Sequence, residues 1–183
     1  MQILKNLKQE FFCMKVFTVV GITDSGKTST LVNIIKELVT RGYEVNSVKS
    51  VHIDNFSVDK KGKDSWRHRE AGSKVTALRS KNETAIIFQE GLDVNELLPF
   101  FNCDYLALEG FNEAINVPKI ICAKNTEGID DKFNDSVFAI SGKISSELKE
   151  YKGIKVINSL TDITELVDLV EKHAIDSKEL ANL

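Results

Sequence analysis

A run of eight residues restricts the folds open to this chain. Gly21-Ile22-Thr23-Asp24-Ser25-Gly26-Lys27-Thr28 fits the phosphate-loop pattern G-x-x-x-x-G-K-[ST] at every fixed position. Phe17 to Val20, just before it, reads as a buried strand, and Leu31, Ile34, Ile35, Leu38 and Val39 recur at helical spacing after it. Strand, glycine-bounded loop and helix is the context the pattern requires. Gly21 and Gly26 permit backbone angles that a side chain would block, so successive amides can turn inward around an anion. The helix N-terminus adds its partial positive charge at the same place. Lys27 is predicted to reach the outer phosphates and Thr28 to offer its hydroxyl to Mg²⁺. Thr23, Asp24 and Ser25 in the loop, with Ser29 in the first helical turn, complete the predicted cradle.

The rest of the chain alternates in the way such a loop demands. Strands are predicted at Glu44–Lys49, Val75–Leu78, Ala85–Phe88, Tyr105–Leu108, Ile120–Ala123, Val137–Ile140 and, last, Ile154–Ile157. Helices are predicted from Thr28 to Arg41, with Gly42 in the left-handed position beyond, and from Ser65 to Ala71, closed by Gly72. Asp93 and Glu96 form a capping box for a third, and Asp162 and Glu165 open an amphipathic terminal helix. The predicted fold is therefore α/β, a P-loop NTPase-type three-layer arrangement with a mostly parallel sheet covered by helices on both faces. We expect one nucleotide-binding domain over residues 14–175, an extension over 1–13 with Met14 as an alternative start, and a frayed tail over 176–183.

Composition narrows the setting. A net charge of −3 gives no support to a broad nucleic-acid or membrane surface. Cys13, Cys103 and Cys122 lie far apart with no C-x-x-C pair, which argues for a reducing compartment, the cytoplasm, and against a disulfide framework or cysteine zinc site. No apolar run approaches the roughly 18–20 residues that span a bilayer.

Other residues could carry chemistry. Glu109 ends an apolar strand, where a phosphate-loop protein needs a carboxylate to hold metal-bound or attacking water; a solvent-facing strand end is the alternative. Gly110 would let the chain approach a terminal phosphate closely. His52 and Asp54 follow the second strand, too few for zinc, although Asp54 could hold Mg²⁺ through a water. Lys63, Arg67 and Arg69 either direct positive charge toward an anionic ligand or belong to a solvated loop and helix capped by Asp64 or Ser65. Ser141-Gly142-Lys143 is either a base contact or a surface turn.

Taken together, Gly21–Thr28, Asp59-x-x-Gly62-Lys63-Asp64-Ser65, Arg67-His68-Arg69-x-Ala71-Gly72, Leu108-Glu109-Gly110-Phe111 and Pro118-Lys119-Ile120 resemble the molybdopterin-guanine dinucleotide biosynthesis protein B family (MobB). The resemblance runs from Lys15 to about Ala123. It implies a GTP-binding, weakly hydrolysing, Mg²⁺-dependent homodimer that assists the guanylyltransferase MobA in attaching a GMP moiety to molybdopterin. The chain departs from the family in keeping one histidine, His52, after the second strand, and in having Lys61 and Asn112 where proline and lysine are frequent. Guanine preference follows from the resemblance alone, because the Asn-Lys-x-Asp signature of many GTPases is absent. A small-molecule kinase and a nucleotide-switched binding module are the competing readings.

Overall fold

The computed structural model describes residues 14–180, so the extension over 1–13 and Cys13 lie outside the described residues. The chain divides into two compact units: residues up to Ser50 together with those from Pro99 onward, and Val51–Leu98. A division there was not expected from sequence, since no Pro- or Gly-rich linker marks either boundary.

In the first unit, β1 (Lys15–Gly21) leads through the phosphate loop into α1 (Lys27–Thr40), followed by β2 (Val45–Lys49). The second unit holds α2 (Asp64–Glu70), the antiparallel hairpin of β3 (Val75–Arg79) and β4 (Thr84–Phe88), and α3 (Val94–Leu97). Asp93 accepts a hydrogen bond from the Glu96 amide at 2.9 Å, and Glu96 accepts one from the Asp93 amide at 3.1 Å, the capping box read from sequence. The chain returns to the first unit with β5 (Tyr105–Glu109), β6 (Lys119–Cys122), α4 (Glu127–Asp130), β7 (Val137–Ser141), β8 (Glu150–Tyr151), β9 (Ile154–Lys155), α5 (Ile163–His173), β10 (Ile175–Asp176) and α6 (Ser177–Leu180).

The main sheet has the order β2-β5-β1-β6-β7, all parallel, so both edges of β1 are buried. Alternation along the strands divides the core. Phe17, Val19, Ala107, Ile120 and Ala139 face Leu31, Ile34 and Leu38 of α1 and Leu166, Val167 and Val170 of α5. Val20, Ile121 and Ile140 point the other way, onto Ile129 of α4, Ile144 and Val156. Arg41 ties α1 to α5, pairing with Glu37 at 3.0 Å, Asp168 at 2.8 Å and Glu171 at 3.1 Å.

Two expectations are corrected. Ile154–Ile157 is no long final strand. Lys152 and Gly153 both take positive φ, 50° and 77°, which closes a tight two-residue hairpin between β8 and β9. Only Val156 bridges to the main sheet, at Ile140. Of the tail over 176–183 read as fraying, the described part is ordered: β10 runs antiparallel to the start of β1 (Lys15↔Asp176, Val16↔Ile175) and α6 follows it. There β10 covers the part of that edge which β6 leaves open. The Ser177 amide donates to the Met14 carbonyl at 2.8 Å, and Leu180 is buried. Among the described residues, no helix is long and apolar enough to cross a membrane.

Candidate functional site

The phosphate loop leaves β1 in the middle of the sheet and is held there by main-chain packing. Gly21 has φ 146°, and a Cβ on it would lie 2.1 Å from the Cys122 carbonyl oxygen on β6. Gly26, at φ 100°, starts α1 without any side-chain cap, and no acidic residue stands in the first turn. The first amides of this 14-residue helix are therefore left for an anion. Asp24 turns the exposed loop tip at φ 57°, next to Thr23. Ser25 is fully buried, and among the described residues its hydroxyl has no hydrogen-bond partner. An uncapped helix start, inward-turned glycines and an orphaned hydroxyl fit a bound phosphate chain.

Lys27 donates from Nζ to the Ile22 carbonyl at 2.6 Å, so its ammonium lies over the loop. The Thr28 hydroxyl donates to Glu109 Oε1 at 2.7 Å, which joins the first turn of α1 to the end of β5. The hydroxyl keeps acceptor lone pairs for a cation. Glu109 is only 5% exposed, which removes the solvent-facing alternative. Lys49 donates to the same Oε1. Burial alone would raise the Glu109 carboxyl, but hydrogen bonds from Lys49 and Thr28 and the charges of Lys49 and Lys27 outweigh it, holding the group below its ordinary value. A buried, ionised carboxylate beside a threonine hydroxyl suits Mg²⁺, an oxygen-seeking ion that keeps several waters. Gly110, at φ 85°, donates its amide to the Val19 carbonyl at 3.0 Å, keeping the turn after β5 beside β1.

Ser141-Gly142-Lys143 is not a free surface turn. It is the rear support of the phosphate loop. The Lys143 amide donates to the Ser25 carbonyl at 3.1 Å, and a Cβ on Gly142 would lie 2.3 Å from that oxygen. Beside it opens a cavity of about 300 Å³ lined by Gly26, Ser29, Gly142, Lys143, Ser145 and Asn158, among others. Burial pushes the Cys122 thiol up to about 12 and raises that of Cys103, so both are inert packing groups.

The remaining predicted residues belong to the second unit. Asp54 is exposed beside Asn55, which takes φ 57°. Lys63, not Asp64 or Ser65, occupies the N-cap of α2 and does so without a side-chain bond; Ser65 Oγ donates instead to Asp59 Oδ1 at 2.7 Å. Arg67 is exposed and pairs with Asp64 at 3.8 Å. One position of the cluster, Lys49, escaped the sequence reading, and the part Gly142 plays behind the loop differs from both readings given to it. Lys49 was readable only with the knowledge that β2 lies beside β5, and Gly142 only with the knowledge that β7 ends beside the loop.

A parallel sheet, a phosphate loop opening a helix and a carboxylate on the neighbouring strand define a protein of the P-loop NTPase type. Residues 16–142 match the model of the family described as "Molybdopterin guanine dinucleotide synthesis protein B", and the chain belongs to this family. It is 34% identical over 123 residues to a Methanocaldococcus jannaschii protein whose name describes a molybdopterin-guanine dinucleotide biosynthesis adapter, covering 64% of this chain and 50% of that one. The Haemophilus influenzae molybdopterin-guanine dinucleotide biosynthesis adapter protein is 36% identical over 108 residues, covering 56% and 60%. The chain thus spans half to three-fifths of the length of these curated relatives. The crystal structure of Bacillus subtilis MobB superposes with a TM-score of 0.72 at 25% identity, covering 88% of this chain and 98% of that one.

Proposed function

We propose that this protein binds GTP with Mg²⁺, hydrolyses it slowly, and serves as an accessory factor in molybdopterin guanine dinucleotide biosynthesis beside a MobA-like guanylyltransferase. The observation that carries the reading is the Thr28–Glu109 hydrogen bond beside Lys27 at the uncapped start of α1. The first amides of α1 bind the phosphates, and Lys27 turns from the Ile22 carbonyl to the outer ones. Thr28 and Glu109 would hold Mg²⁺, which neutralises charge on the phosphates. Glu109 accepts the hydrogen bond from the Thr28 hydroxyl and orients water. The only arginine of the first unit, Arg41, is engaged at the far end of α1, about 20 Å along a 14-residue helix, so no arginine of that unit offsets the transition-state charge. That supports slow turnover. Family membership supports the pathway and the guanine base. The exposed Val75 and Ile86, on one face of the hairpin, support self-association as a homodimer, and two free, buried thiols support a cytoplasmic location.

The test is calorimetric titration with GTP, ATP and GDP, with and without Mg²⁺. GTP with Mg²⁺ is expected to bind best, and Lys27→Ala to remove most of the binding. Undiminished binding by that variant would overturn the phosphate site, and a substrate-dependent burst of ADP would favour a kinase. Lys63→Ala and Arg67→Ala in the same titration decide whether the second unit takes part.

A further inference from the structure

Lys49 closes β2 in parallel register with Glu109 of β5, so the two side chains leave the sheet on the same face. The Ser50 amide donates to the Glu109 carbonyl at 2.9 Å and fixes this alignment. The Lys49 side chain is 57% exposed, yet its ammonium reaches the nearly buried carboxylate and shares Oε1 with the Thr28 hydroxyl. One oxygen thus joins β2, β5 and α1. A buried carboxylate requires a counter-cation, and here Lys49 supplies it. A divalent ion held at Thr28 would be a second positive centre on the same group, and two cations on one carboxylate repel. Of the two, Lys49 is the one free to move, because its four-carbon stem is largely in solvent. The new negative charge arriving with the metal is that of the phosphates.

From this geometry, and resting on the nucleotide reading above, we infer that Lys49 is a positioning residue that senses the terminal phosphate. It holds Glu109 against Thr28 when no metal–nucleotide complex is bound, and passes to the terminal phosphate of a magnesium-bound nucleoside triphosphate. The exchange breaks one ion pair and forms another, with no covalent change. A nucleoside diphosphate does not drive it.

The experiment compares the full chain with Lys49→Met and Lys49→Gln by titration with GTP and with GDP, in Mg²⁺ and in EDTA, alongside thermal melts. The glutamine can still donate to Glu109 while lacking the charge, and so keeps the test open if the methionine variant folds poorly. In Mg²⁺ both variants are expected to lose GTP affinity roughly tenfold and to keep that for GDP, as removal of one charged hydrogen bond implies. In EDTA the GTP-to-GDP ratio is expected to match that of the unmodified protein. Equal losses for GTP and GDP, or an unchanged ratio in Mg²⁺, would reduce Lys49 to a structural counter-ion and overturn the inference. If the unmodified protein binds neither nucleotide, the nucleotide reading falls and this inference falls with it.

Discussion

The phosphate loop of the first unit and the glycine-bearing segment of the second use the same residue types under opposite physical conditions. Around the loop, a Cβ on Gly21, Gly26 or Gly142 would lie 2.1, 3.2 or 2.3 Å from the nearest backbone atom. In the second unit, Gly62 and Gly72 also take positive φ, 85° and 100°, but among the described residues nothing stands within 4 Å of the added carbon. Polar side chains differ in the same way. Thr28, Lys49 and Glu109 meet from three elements, whereas Ser65–Asp59, Arg67–Asp64 and Ser80–Glu83 are pairs within one short stretch. Phe17, Ile34, Leu38 and Ile140 of the first unit are fully buried, whereas in the second unit Ile53, Phe56, Val58 and Ile86 are more than half exposed, as are Val39, Ile115 and Leu160 at the surface of the first. A glycine in a sequence marks a backbone angle. Only the surroundings say whether it also marks a place with no room.

The contrast yields measurable differences. The largest is expected at Gly142→Ala, where a Cβ 2.3 Å from the Ser25 oxygen forces the loop and the β7 turn apart. A loss of about 4 kcal/mol in urea unfolding is predicted, against about 1–2 kcal/mol for Gly62→Ala, which meets only the left-handed penalty. Equal losses would mean that the crowding around the loop is relieved by small shifts. Next, Leu38→Ala should cost about 2–5 kcal/mol because Leu38 is fully buried between sheet and helices. Ile86→Ala should cost about 0.5 kcal/mol or less in the same assay, and should weaken self-association measured by sedimentation if the hairpin is the contact.

A smaller effect is expected from Glu109→Gln, about 1–3 kcal/mol of stability at neutral pH, together with a fall in GTP turnover that exceeds the change in GTP affinity. Because the folded protein holds the Glu109 carboxyl below the ordinary 4.5, its stabilising contribution is complete above that pH. The contribution is lost as pH falls from 4.5 through the lowered value. The glutamine variant should show a correspondingly flatter acid limb in denaturation measured from pH 5 downward, and an unchanged limb would remove the charge network from the account. The smallest effect is that of Asp93→Ala, about 1 kcal/mol, since it removes one local cap from a four-residue helix of the second unit.

What could be read from the chain was local. The phosphate loop, the capping box of Asp93 and Glu96, the hairpin strands and the carboxylate at the end of β5 each depend on neighbours within about ten residues, and each stands where it was expected. What could not be read depends on strand order. Lys49 and Glu109 are 60 residues apart and meet only because β5 enters between β1 and β2. Gly142 meets Ser25 because β7 ends beside the loop. The two-residue β10 is too short to show a period of its own, and it exists because β6 pairs only from Thr18 onward on that edge of β1. The error at Ile154–Ile157 is different. Ile154–Ile157 reads as one strand, but the turn at Lys152-Gly153 lets only Ile154 and Lys155 pair with β8.

The support of the phosphate loop by the β7 turn is made of main-chain atoms on both sides, the Ser25 carbonyl and the Lys143 amide. Scanning side chains at Ser25 or Lys143 would therefore leave it intact. The contact constrains chain length instead of residue identity. One residue inserted between Ser141 and Lys143 would carry the amide away from the loop, whereas one inserted at Lys152-Gly153, where no described residue stands within 4 Å of a Cβ added to the glycine, would lengthen only a surface hairpin. Tolerance to insertions, mapped along the first unit, would trace the frame of the phosphate loop without changing any residue in it.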